Sequence, residues 1–217
     1  MARASLAPNA CSALRLIPTS IRFAAPPTGD RRWQRPGAPS INRTTISADA
    51  YGSICPQVGP GPGSPSTTTS IESEDCLFLN VQSPANASNL PVLIWIHGGG
   101  YGAGNGRQDF SDLLNTNGNN FVVVSIQYRL GPYGFLASDE LNRRGVVNAG
   151  LLDQVFALQW VQTYITDFGG NPSAVTISGE SAGGGSVMLM DMGKLNISTN
   201  RNDHKSHLTH TQPTAEP

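Results

Sequence analysis

The chain has 217 residues, 38% of them hydrophobic and 13% charged, with a formal net charge of −1. That length supports one domain with a sizeable core. The near-neutral balance, and the lack of aromatic and basic residues in alternation, give no electrostatic basis for a nucleic acid or an anionic membrane as partner. No apolar run approaches a bilayer span; the best candidate, Phe121 to Ile126, is the size of a strand.

Residues 1–20 lack periodicity and form an unassigned segment. Pro8, Asn9 and Ser12 interrupt what a secretory leader would need as an unbroken apolar stretch. A transit peptide and a displaced start codon fit this segment equally well. Residues 21–190 alternate strand-like runs, Gly/Pro-rich loops and helical patterns, which predicts an α/β domain. Residues 56–70, rich in Pro, Gly, Ser and Thr, read as a loop. Val92 to Ile96 and Phe121 to Tyr128 read as buried strands. The 3- and 4-residue spacing of apolar positions from Leu151 to Val161 predicts a helix over 148–166. A short strand, Ala174 to Ser178, then leads into a glycine-crowded helix over 181–190. Residues 191–217 hold both lysines (Lys194, Lys205) and three of the four histidines (His204, His207, His210). Without apolar periodicity, this tail is expected to be disordered.

Two motifs carry chemistry. Gly179-Glu180-Ser181-Ala182-Gly183 is a G-x-S-x-G placed between a predicted strand and a predicted helix. In that context a tight turn forces the serine into a strained backbone, requires small neighbours and lifts the hydroxyl clear of the sheet. The helix behind it points free N–H groups and a positive dipole end at a reacting carbonyl oxygen. His97-Gly98-Gly99-Gly100-Tyr101 follows the Val92–Ile96 strand. Consecutive glycines let backbone amides approach a ligand, as an oxyanion hole requires. A phosphate cradle is disfavoured, because neither G-x-G-x-x-G nor G-K-[ST] occurs there. His97 reads as a residue that orders the loop, in preference to a catalytic base.

With these motifs in place, residues 21–190 resemble the type-B carboxylesterase/lipase family of the α/β-hydrolase fold, and are similar to its fungal carboxylesterases. The resemblance extends through Phe168-Gly169-Gly170 and Val175 to Gly183, and through Glu74-Asp75-Cys76-Leu77-Phe78-Leu79-Asn80-Val81. It continues in Phe23 to Asp30, Tyr128-Arg129-Leu130-Gly131, and Asn148 to Gln154. It implies that Ser181 attacks an ester carbonyl to give an acyl-enzyme. The amides of Gly99, Gly100 and Ala182 would hold the oxyanion, each worth about 3 kcal/mol of barrier. Glu180 and Tyr101 would either line the substrate gorge or pack as scaffold. No cofactor and no metal is expected; the partner is a small-molecule or lipid carboxylic ester. A cholinesterase specificity is not supported, since no Trp lies between Cys55 and Cys76 to bind a quaternary ammonium.

The resemblance also pairs Cys55 with Cys76, closing a loop of about 20 residues worth about 3 kcal/mol. Two reduced thiols are the alternative. The sequons at Asn42 and Asn86 favour the disulfide and a secreted, glycosylated protein. Cys11 has no assigned role. Ion pairs Arg32–Glu74 and Arg129–Asp153 are expected from family positions.

Family members place the triad acid and histidine far downstream of the nucleophile, whereas only 36 residues follow Ser181 here. Asp191, Asp203, Glu216 and the tail histidines lie in no motif-like setting, so the acid and base are expected to be missing. The fold is then an incomplete α/β-hydrolase sheet ending at the nucleophile turn. Such a chain would be weakly active, an inactive fragment, or a non-catalytic binding module. Codons for Gly193-Lys194-Leu195 can contain the splice-donor sequence GTAAGT, so the tail is expected to be translated intron, which genomic DNA would decide.

Overall fold

The computed structural model describes residues 19–24, 29, 32–39, 48–58 and 72–192. Cys11, the Asn42 sequon and the tail beyond residue 192 lie outside them. Five strands form one mixed sheet: β1 (Thr19–Arg22), β2 (Phe78–Gln82), β3 (Leu90–Ile96), β4 (Val122–Ile126) and β5 (Gly170–Gly179). Their order is β1-β2-β4-β3-β5. β1 and β2, and β2 and β4, pair antiparallel, whereas β3 is parallel to both β4 and β5. All five residues of β4 are buried, which is why Val122 to Ile126 shows no alternation; its one polar residue, Ser125, donates its hydroxyl to the Gly106 carbonyl.

Among the described residues five α-helices accompany these strands: α1 (Ser111–Thr116), α2 (Gly131–Phe135), α3 (Asp139–Arg144), α4 (Ala149–Tyr164) and, after the last strand, α5 (Ala182–Met192). Asn148 opens α4 in the left-handed region, at φ 57°, where Asn is among the better tolerated residues. Its carbonyl accepts from the amides of Leu151 and Leu152. The helix then lays Ala157, Leu158 and Val161 against the sheet. In α3, the Ser138 hydroxyl accepts from the Leu141 amide, with acids in the first turn and arginines in the last.

One core holds Leu79, Val81, Ile94, Ile96, Val124, Ile126 and Ile177 of the sheet, with Val161 and Val187 from the helices over it. Each such side chain contributes about 1.5–3 kcal/mol when fully removed from water. A smaller cluster, Phe110, Leu114 and Val123, covers the opposite face and is extended by Leu93, Trp95 and Phe121.

The ion pairs expected from the sequence both form. Arg32 binds Glu74 through Nε (2.7 Å) and one terminal nitrogen (2.6 Å). Arg129 binds Asp153 in the same forked manner, at 2.7 Å for each contact. Its own amide adds a third bond to Asp153, at 3.1 Å. This second pair is buried, with side-chain exposures of 2% and 0%. The Arg129 guanidinium also donates to the carbonyls of Arg32 and Gln34, tying the 32–39 segment to the core. Cys55 and Cys76 form a disulfide, both cysteines being buried.

Candidate active site

Strand register brings the two glycine-rich motifs together. Ile96 at the end of β3 pairs with Gly179 at the end of β5, so the loops that follow leave the sheet side by side at its carboxyl end. Beyond Gly179 the chain reverses within two residues. Ser181 takes φ +54° and is exposed, and α5 begins at once. Its first turn is closed by bonds from the Gly183 amide to the Glu180 carbonyl (2.8 Å) and from the Gly185 amide to the Ser181 carbonyl (3.0 Å).

Close packing explains the small residues around the serine. A methyl group at Gly179 would sit 2.5 Å from the Gly183 carbonyl carbon, and one at Gly183 would overlap the Ile96 carbonyl oxygen. Gly183→Ala is therefore expected to destabilise the fold by about 1–3 kcal/mol, since backbone on both sides must move. Urea denaturation checks this, and an unchanged midpoint would refute the packing argument.

The second loop lies against the first. A methyl group at Gly98 would stand 2.6 Å from Glu180 Oε2 and 3.0 Å from Ser181 Cβ. Gly99, Gly100 and Tyr101 follow at φ +97°, +60° and +60°, a run that glycine tolerates and most residues resist. The Gly99 carbonyl accepts from the amides of Gly102 and Ala103, both at 3.0 Å. The amides of Gly99, Gly100 and Ala182 donate to no group among the described residues. Gly100 faces open space.

Of the two predicted wall residues, Glu180 is exposed and its carboxylate lies over Gly98. Tyr101 packs inward instead. Its ring lies 4.7 Å from that of Phe135, and its hydroxyl is 3.4 Å from Ser186 Oγ.

His97 is the single histidine among the described residues, and it is buried. Its ring stacks on Tyr128 at 4.4 Å, and the Tyr128 hydroxyl donates to the His97 carbonyl at 2.7 Å. Nδ1 donates to the Gly98 carbonyl at 2.9 Å, which places the ring proton on that nitrogen. Burial holds the imidazole down at about 4 from its ordinary 6.5, although the Gly98 contact opposes the shift. Folded His97 therefore stays neutral where the unfolded chain takes up a proton. Stability should fall as pH drops from about 6.5 towards 4, by about 3 kcal/mol in all. His97→Gln should flatten that part of the urea-midpoint profile; an unaltered profile would exclude His97 as its source.

Two residues escaped the sequence reading. Gln57 and Val58 reach the glycine loop from the disulfide segment, Val58 through its amide to the Gly102 carbonyl at 2.7 Å. Among the described residues there is also no cluster of three or more His, Cys, Asp or Glu side chains suited to a metal.

Known proteins share this arrangement of strands and loops. The model of the carboxylesterase family matches residues 19–197. The para-nitrobenzyl esterase of Bacillus subtilis is 45% identical over 173 residues, covering 78% of this chain and 35% of that protein. Carboxylesterase 1D of Mus musculus is 43% identical over 186 residues, covering 81% and 32%. The crystal structure of Aspergillus niger EstA superposes with a TM-score of 0.72 at 40% identity, covering 80% of this chain and 34% of that one. The chain thus spans about a third of the length of these relatives. At that identity, and with a mixed sheet that superposes on theirs, the chain belongs to the carboxylesterase family and carries part of the α/β-hydrolase fold.

Proposed function

We propose that Ser181 is the nucleophile of a carboxylic ester hydrolase. Its Oγ attacks the ester carbonyl carbon, and the carbonyl oxygen gains negative charge facing the amides of Gly99, Gly100 and Ala182. Collapse expels the alcohol, which takes up the serine proton, and leaves an acyl-enzyme that water cleaves to the acid. The observation that carries this reading is the serine held at φ +54° between β5 and α5, in contact range of the Gly98 loop. On this reading residues 21–190 are the partial hydrolase domain, and the acid and histidine that would relay the proton are not supplied by it.

The test combines turnover of p-nitrophenyl butyrate with labelling by a fluorophosphonate, the adduct being mapped by mass spectrometry. Labelling at Ser181 without turnover is the expected result for this chain, because the amides can act while no base is at hand. Labelling elsewhere, or none, would refute the assignment.

A secreted, glycosylated protein is part of the same proposal. Asn86 of the Asn86-Ala87-Ser88 sequon is exposed in a turn, and a buried disulfide suits an oxidising compartment. No helix among the described residues is long and apolar enough to cross a membrane.

A further inference from the structure

We infer that Gln57 is a positioning residue for the oxyanion amides, a role that rests on the reading of Ser181 as nucleophile. The Gln57 side chain grips both polar groups of one residue. Its Oε1 accepts from the Gly104 amide at 2.7 Å, while its Nε2 donates to the Gly104 carbonyl at 3.0 Å. Nε2 donates as well to the Cys55 carbonyl at 2.7 Å, so the amide is held in one orientation from the disulfide side. The result imitates a strand pairing between a side chain and a loop.

Gly104 in turn fixes what lies on its other face. It sits at φ +105°, and a methyl group there would overlap His97 Nδ1 and stand 2.8 Å from the Gly98 carbonyl oxygen. Gly98 itself is packed against Ser181. Contacts therefore run without a gap from Cys55 through Gln57, Gly104 and Gly98 to the serine. The amides of Gly99 and Gly100 lie on the same loop, between Gly98 and the Gly102 carbonyl to which the Val58 amide donates. Oxyanion donors act only within about 3 Å of the developing charge, so a loop free to shift by a fraction of an ångström loses their effect. Neither Gln57 nor Gly104 touches the reacting atoms; the effect is exerted through the backbone between them.

The full chain is compared with Gln57→Met, which keeps length but loses every polar contact, and Gln57→Glu, which keeps the acceptor and loses the donor. The control is Glu72→Ala, which removes only the acceptor of the Gln57 backbone amide. NMR-detected hydrogen exchange is read at the amides of Gly102 and Ala103, which bond Gly99 and not Gln57. In both variants their exchange should rise roughly tenfold, with strand amides of β3 and β4 unchanged. Fluorophosphonate labelling of Ser181 should slow roughly tenfold at an unaltered melting temperature. Glu72→Ala should change neither. If either variant fails to fold, the other decides. A folded variant that keeps the exchange rates of Gly102 and Ala103, or keeps the labelling rate despite faster exchange, overturns the inference. If the unsubstituted chain takes no probe at all, the reading of Ser181 fails, and the exchange comparison alone decides whether Gln57 fixes the loop.

Discussion

Ser181→Ala is expected to abolish fluorophosphonate labelling while leaving the urea midpoint where it was. Alanine removes the only atom that can bond phosphorus but shares the serine's discomfort at φ +54°, because the clash there comes from Cβ. Ser181→Gly separates the two roles. It too should take no label, yet it should be more stable than the parent by about 1 kcal/mol, since glycine occupies this backbone region freely. Stability gained as reactivity is lost is the signature of strain retained for function. Residual labelling of the alanine variant would move the nucleophile elsewhere; a glycine variant less stable than the parent would show that the turn is not strained.

Asp153→Ala should be the most damaging substitution in the core, at about 3–5 kcal/mol. The Arg129 guanidinium, 2% exposed, would be left charged and shielded from solvent without its counter-ion. Against an ordinary total stability of about 5–15 kcal/mol, that loss shifts the urea midpoint by a large fraction of its value. Replacing the pair together, Arg129→Met with Asp153→Leu, should recover much of it, because no buried charge is then stranded. It should not recover everything. Arg129 also holds the carbonyls of Arg32 and Gln34, and these lose their donors. A cost below about 1 kcal/mol for Asp153→Ala would mean that water reaches the site.

The sequence made the parallel part of the sheet legible and left its antiparallel rim obscure. β3 and β4 follow from mostly apolar runs, the mark of strands inside a sheet, and α4 from the 3- and 4-residue spacing of its apolar positions. The stripe that α4 buries nevertheless includes Gly150, Asp153 and Gln154, while Leu151, Leu152, Val155 and Phe156 stay half-buried. Val92 to Ile96 lies within β3, and Phe121 to Tyr128 contains β4. β5 begins four residues before the predicted Ala174, since Asn171-Pro172-Ser173 carries no strand pattern and is drawn in by pairing of Leu90 with Gly170. β1 and β2 carry no comparable mark; their antiparallel pairing is a long-range event between segments separated by 55 residues, Arg22 and Phe78 facing each other. α2, Gly131-Pro132-Tyr133-Gly134-Phe135, holds residues that disfavour helix. Its ends are placed by tertiary contacts, with the Gly131 amide bonded to the Tyr101 carbonyl.

At the site, the residues nearest Ser181 were legible because strand-loop-helix punctuation surrounds them. The turn needs small residues, and Gly179 and Gly183 supply them in a recognisable order. The grip of Gln57 on Gly104 was not legible. It joins positions 47 residues apart, and a glutamine after Cys-Pro carries no local signature of its partner.

Pairing of Ile96 with Gly179 has a consequence for how the site fails. Ser181 and the glycine loop sit on the ends of adjacent, parallel, hydrogen-bonded strands, so no hinge or domain boundary separates them. The groups proposed to react are therefore expected to have no melting transition of their own. On warming, Ser181 and the amides of Gly99 and Gly100 should keep their mutual register until the central ladder gives way, and be lost in one step.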